Sequence, residues 1–130
     1  MKLTVDTNIL IRAFVDDDPR QGLLAQEALR QANGVVLITI VLCELVWVLT
    51  QTYGFRRPDV AAAIRRLTTA ADVEMDRPAV EAGLAMMDAG GDFADGVIAY
   101  EGRALGGEVF ASFDRKAVNL LEGRVLRRGF

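Results

Sequence analysis

The chain has 130 residues, of which 52% are hydrophobic and 25% charged, with a net charge of −3 and no histidine. This length suits one domain with a real core, so we expect a single domain over residues 1–130. The lack of histidine excludes catalytic sites that need an imidazole base, and the single cysteine, Cys43, excludes an internal disulfide and a thiolate zinc cluster. The negative net charge argues against a broadly basic nucleic-acid surface.

Strand and helix patterns alternate along the whole chain. Short runs rich in β-branched residues predict strands at residues 2–5, 35–38, 73–75, 108–111 and 125–127. Apolar residues at helical spacing, bounded by Asp, Pro and Gly signals, predict helices at residues 7–15, 19–32, 40–53, 56–69, 76–90 and 92–105, with a short one after Asp114. This alternation predicts an α/β fold with a central parallel sheet of four to five short strands flanked by helices.

Two side chains are predicted to cap helices. Asp18, the last residue of an acidic triplet, precedes Pro19 and is the expected N-cap of the second helix. We interpret this triplet as a capping signal rather than as a metal site. Thr39 is the expected cap of the helix that follows the second strand.

The apolar content and a mean hydropathy of +0.23 are high for a small domain. We therefore expect some apolar surface to be buried in a homodimer. The longest apolar stretch, residues 35–49, is shorter than the ~20 residues that span a bilayer. The N-terminus carries no leader pattern, so we expect a cytoplasmic protein.

Glu44 is the only charged residue between Arg30 and Arg56 and lies inside this apolar stretch. An ionised carboxylate in apolar surroundings costs several kcal/mol unless it is paired or bound to a cation. We expect such a cation beside Glu44. Two explanations stay open, a metal ion or a buried ion pair with Arg12 or Lys116.

Three further carboxylates, Asp6, Asp95 and Asp114, stand beside predicted strand ends or helix starts. In parallel α/β sheets, functional groups collect beyond the carboxyl ends of the strands, so the three can converge with Glu44. Oxygen ligands without His or Cys suit Mg²⁺ or Mn²⁺. Each of the three, and Asp92 more so, also has a plain explanation as a helix-start acid.

Four short segments occur in a characteristic order. They are Val5-Asp6-Thr7-Asn8 after the first strand, Glu44 in an apolar helix, Asp92-Phe93-Ala94-Asp95 at a helix start, and Ser112-Phe113-Asp114 after a strand. Together these segments resemble the PIN-domain ribonucleases, and their spacing is similar to that of VapC-type toxins of toxin-antitoxin pairs. The resemblance implies that Asp6, Glu44, Asp95 and Asp114 are catalytic and hold Mg²⁺ or Mn²⁺. Thr7, Asn8 and Ser112 would support them, while Asp92 is either a further ligand or a helix cap.

The resemblance also implies a function, a metal-dependent endoribonuclease that hydrolyses RNA phosphodiesters. Its partners would be RNA, a VapB-type antitoxin and a second copy of the chain. Arg12, Lys116 and Arg115 neighbour the acids in sequence and are candidates for contacts to RNA phosphates. The alternatives are a receiver-type phosphoacceptor domain, a housekeeping RNA-processing PIN nuclease and a catalytically silent PIN-like binding protein.

Overall fold

The structure is a computed structural model that describes residues 1–126, with the exception of the Val125 side chain. The strands are β1 (Lys2–Thr4), β2 (Gly34–Leu37), β3 (Val73–Met75), β4 (Ala111–Ser112) and β5 (Arg124–Val125). The helices are α1 (Thr7–Phe14), α2 (Pro19–Gln31), α3 (Thr39–Trp47), α4 (Arg57–Thr69), α5 (Arg77–Asp88), α6 (Phe93–Ala104) and α7 (Arg115–Leu121). A π-helical segment, Val48–Thr52, directly follows α3. The predicted α/β class with parallel strands is confirmed.

The chain divides into two compact units, and the first spans Met1–Asp76. It contains a parallel sheet in the order β1-β2-β3, in which Leu3 lies opposite Val35. Because the strands are parallel, their carboxyl ends lie along one edge of the sheet. The chain enters α1 from β1 and α3 from β2, so both helices begin at this edge.

The core of the first unit includes Leu10, Leu37, Leu42, Leu45 and Ile64, each at most 2% exposed. Full burial of a leucine contributes ~1.5–3 kcal/mol relative to an exposed one. Helix α3 supplies two of these residues from one face only. Its other face is open to solvent.

The second unit begins at Arg77 and contains α5, α6, α7 and the parallel pair of β4 and β5. Helices α5 and α6 approach closely through two glycines. A Cβ atom on Gly83 would lie 2.6 Å from the buried ring of Phe93, and one on Gly96 would lie 2.7 Å from the Cβ of Met86. This contact therefore requires the absence of a side chain at both glycines.

Several local predictions need correction. The N-cap of α3 is Ile38, without a side-chain hydrogen bond, so the predicted Thr39 cap is wrong because Thr39 is already helical. The helix predicted over residues 40–53 changes at Val48 into the π-helical segment, where the Thr50 hydroxyl donates to the Val46 carbonyl at 2.8 Å.

The strand predicted at residues 108–111 begins only at Ala111. Its pairing starts where the Arg124 N–H donates to the Phe110 carbonyl at 2.7 Å, so residues before Phe110 have no strand partner in the described part of the chain. Arg127, at the end of the last predicted strand, lies outside the described residues. Within residues 1–126 no helix is both long and apolar enough to cross a membrane.

The close packing of α5 on α6 gives a test of the fold. Gly96→Ala should lower the free energy of unfolding by about 1–3 kcal/mol, because the new methyl group overpacks the helix contact. Gly102→Ala, in the same helix with nothing within 4 Å of a new Cβ, should raise it by about 0.5–1 kcal/mol. Urea unfolding measures both. A Gly96→Ala variant as stable as the parent chain would contradict the packing described.

Candidate functional site

Asp6 follows β1 and is the N-cap of α1. Its Oδ1 accepts a hydrogen bond from the Ile9 N–H at 3.1 Å. The cap fixes the carboxylate at the positive end of the helix, which stabilises a negative charge by ~0.3–1 kcal/mol. Asp6 is otherwise exposed, so Oδ2 is available to a cation while Oδ1 caps the helix.

Glu44 lies in the second turn of α3 and is exposed, so the expectation that it is buried is wrong. The reason is helical periodicity. Leu42 and Leu45 point into the core, while Ile40, Glu44 and Trp47 share the opposite face, where Ile40 is 65% and Trp47 62% exposed. An exposed Glu44 needs no compensating cation to fold, and Arg12, one of the two partners considered for a buried ion pair, pairs with Asp17.

Asp114 is fixed by hydrogen bonds to the start of α7 and to Ser112. Its Oδ1 accepts hydrogen bonds from the Lys116 N–H at 2.9 Å and the Ala117 N–H at 3.2 Å. The hydroxyl oxygen of Ser112 accepts a hydrogen bond from the Asp114 N–H at 3.0 Å. Asp114 therefore follows β4 with its carboxylate and its backbone both fixed.

Asp92 and Asp95 stand at the start of α6, at the N-cap and in the first turn. Burial, and then the negative charges of Asp92 and Asp114, raise the pKa of Asp95 above its ordinary value. A position in the first turn of a helix favours the ionised form, so burial and like-charge repulsion outweigh the helix dipole here. The second unit thus holds three acids within electrostatic range of one another.

Two cations stand near these acids. Lys116 is exposed, and its Cε and Nζ lie 4.0 Å from the position that a Cβ on Gly90 would take, beside the loop that leads to Asp92. Arg115 is also exposed and is the first residue of α7, next to Asp114. Their contact with RNA phosphate stays a prediction.

Arg12 is committed to a network that the sequence did not reveal. Its guanidinium donates to Oδ1 of Asp17 at 2.8 Å and to Oε1 of Gln21 at 2.9 Å. The hydroxyl of Tyr53 donates to Oδ2 of Asp17 at 2.8 Å. The Tyr53 hydrogen bond, and then Arg12, hold the pKa of Asp17 below its usual range. The positive charge of Arg12 is therefore largely compensated by Asp17, which weakens the prediction that Arg12 contacts RNA phosphate.

The predicted site residues fall in both units. Asp6, Thr7, Asn8 and Glu44 lie in the first, and Asp95, Ser112 and Asp114 lie in the second. In neither unit, within residues 1–126, are three or more acidic side chains gathered closely enough to hold an ion as they stand. The convergence of all four acids stays a prediction.

A comparison with protein-family models matches residues 3–120 to the PIN domain. The chain belongs to the PIN domain family. The matched range runs through both units and contains all four predicted acids. PIN domains are typically nucleases that use divalent metal ions, so membership of the family supports hydrolase activity in general. The match does not favour the receiver-type alternative. A comparison with curated proteins gives no match.

The raised pKa of Asp95 gives a prediction about stability. The folded chain holds the Asp95 proton more tightly than the unfolded chain does, so this stabilisation is full below the unfolded pKa and is lost as pH rises through the folded pKa. At neutral pH without divalent cations, Asp95→Asn should therefore raise the melting temperature. The gain should shrink as pH falls.

The matched control is Asp16→Asn, which removes an exposed acid in the first unit. Its free energy of unfolding should stay within about 0.5 kcal/mol of that of the parent chain, so its melting temperature should change little at any pH. Thermal unfolding in chelator across pH measures both variants. A lower melting temperature for Asp95→Asn in chelator would contradict the repulsion described.

Proposed function

We propose that the chain is a metal-dependent endoribonuclease whose two units form one PIN domain over residues 1–130. Asp6, Glu44, Asp95 and Asp114 would hold Mg²⁺ or Mn²⁺, with Asp92 as a further acid beside them. The observation that carries this proposal is the grouping of Asp92, Asp95 and Asp114 in the second unit, where burial, and then the negative charges of Asp92 and Asp114, raise the pKa of Asp95. Membership of a nuclease family supplies the chemistry that such a site serves.

The donor set fits a hard cation. All the proposed ligands are carboxylate oxygens, which suit Mg²⁺ and Mn²⁺ better than softer metals. The helix caps at Asp6 and Asp114 use Oδ1 of each side chain, so Oδ2 remains for a metal. Capping and ligation are therefore compatible at both positions.

The residues of the chain would act mainly by preorganisation. When bound, the divalent ion activates water and neutralises charge on the phosphate. Asp6 and Asp114 are already fixed by their caps, so little reorganisation is needed to take up the ion. Ser112 holds the backbone of Asp114, and Lys116 and Arg115 would bind the phosphates of the RNA strand.

We further propose that this nuclease is the toxin of a type II toxin-antitoxin pair. The similarity of its motif spacing to VapC-type toxins supports this, and so do its exposed large apolar side chains. Leu105 is 90% and Phe113 75% exposed, which suits a chain covered by protein partners. The partners would be a second copy of the chain and a VapB-type antitoxin.

The nuclease proposal is tested with charge-only substitutions. Asp6→Asn and Glu44→Gln should each reduce RNA cleavage in Mg²⁺ or Mn²⁺ more than about a hundredfold, since the metal contributes several kcal/mol to transition-state stabilisation. Stability should change little, because Asn caps a helix as well as Asp does and Glu44 is exposed. Cleavage of labelled single-stranded RNA and thermal unfolding give the two readouts.

Asp18→Asn is the matched control for Asp6→Asn. Asp18 caps α2 in the same way, accepting from the Gln21 N–H at 3.1 Å, but it is not one of the proposed ligands. It should retain full cleavage. Undiminished activity in Asp6→Asn would sink the proposal, whereas equal losses in both variants would point to damage at the helix start.

The toxin proposal makes a separate prediction. Induced expression of the chain in a bacterial host should arrest growth, Asp6→Asn should not, and the purified chain should be a dimer by light scattering at micromolar concentration. Growth curves at matched expression levels are the measurement. Normal growth alongside robust RNA cleavage in vitro would favour an RNA-processing nuclease instead, and a monomer would rule out the proposed homodimer.

A further inference from the structure

A cavity of about 500 Å³ lies against α1 and α2 in the first unit. Its volume is within the ~300–1,000 Å³ that small-molecule sites occupy. Asp6, one of the proposed metal ligands, forms part of its lining. A phosphodiester held beside Asp6 would therefore have this cavity next to it.

The charge of the cavity does not suit a phosphate. Among the described residues of the lining, Arg12 is the only cationic one, and Asp17 binds its guanidinium at 2.8 Å. Gln21 binds the Nε–H of the same guanidinium at 2.9 Å. Because Asp17 compensates the charge of Arg12 and Asp6 is negative, the lining has no net positive charge to attract an anion. A neutral group is favoured.

The lining combines polar edges with an apolar wall. Asn8 contributes an exposed amide, and Gln21 uses Oε1 for Arg12 and keeps its amide N–H groups for a ligand. Ile9 and Leu24 supply apolar surface, and Leu24 is 65% exposed. Amide side chains hydrogen-bond the edges of bases, while apolar surface covers their faces. A nucleobase matches both requirements.

The cavity is also held in shape from outside. Tyr53 donates a hydrogen bond to Asp17, Asp17 holds Arg12, and Arg12 holds Gln21. This chain of bonds joins α1, the residues before α2, α2 itself and the residue that follows the π-helical segment. A preformed site loses less conformational entropy on binding than a flexible one.

We propose that this cavity binds one unpaired nucleobase of the RNA strand, next to the phosphodiester that is cut, and so gives the enzyme a base preference. The inference rests on the proposed nuclease function. An unpaired base is required because bases within an RNA helix do not present their faces and edges to such a cavity. The substrate is therefore single-stranded RNA, or a loop.

The experiment scans a single-stranded RNA with one abasic nucleotide at each position around the cleavage point. For the parent chain, one abasic position should lower kcat/KM by roughly tenfold or more, the contribution of one stacked or hydrogen-bonded base. Leu24→Ala should lower kcat/KM on intact RNA by about the same factor. It should lose little further on the abasic RNA, because the base that contacts Leu24 is already absent.

Leu23→Ala is the matched control. Leu23 is adjacent, 68% exposed and part of a different cavity, so its variant should keep the response of the parent chain. A flat abasic scan of the parent chain would overturn the inference. Equal losses by Leu24→Ala on intact and abasic RNA would also overturn it, and would indicate a protein-binding surface if dimerisation weakened at the same time.

A failure of the nuclease proposal gives a different pattern, since the parent chain would then cut no RNA in Mg²⁺ or Mn²⁺. In that case the affinities for intact and abasic RNA, measured by fluorescence anisotropy, decide the inference. The base site would be upheld without catalysis if the parent chain bound one abasic RNA roughly tenfold more weakly than intact RNA, and if Leu24→Ala bound the two RNAs equally. Equal affinities would reject it.

Discussion

The placement of carboxylates at the first turns of helices is the constraint on which the proposed chemistry depends. Asp6 and Asp114 each cap a helix with Oδ1, which satisfies N–H groups that the helix leaves unpaired. A cap contributes ~0.5–2 kcal/mol, which offsets part of the cost of holding a fixed negative charge. The same bonds that start the helices thus orient the proposed metal ligands.

A helix start does not stabilise the negative charge of every acid placed there, and Asp95 is the exception. Its helix-start position favours ionisation by ~0.3–1 kcal/mol, yet its pKa is raised by burial and by Asp92 and Asp114. The charge at Asp95 therefore weakens the folded state unless a cation is present. In the first unit, Arg12 lines the same cavity as Asp6, but its guanidinium pairs with Asp17. The first unit thus contains a paired cation and acid, whereas the second contains acids that repel one another.

Local pattern predicted much of the fold, but it did not predict that Glu44 lies on the exposed face of its helix. The strand at residues 73–75 and the Asp18 cap were correct because their signals are adjacent in sequence. Glu44 was misplaced because an apolar run around a charge does not show which face the charge occupies. The contact of Tyr53 with Asp17 spans 36 positions, and nothing in either residue's sequence context indicates the other.

The exposure of Glu44 links its proposed catalytic role to the apolar surface of the chain. Ile40 and Trp47 stand about one turn on either side of Glu44 on the same face of α3, and both are exposed. A homodimer contact that covered this apolar pair would also cover Glu44. In an active dimer the contact would therefore have to use other apolar surface, and the exposed Leu105 and Val109 of the second unit meet that requirement.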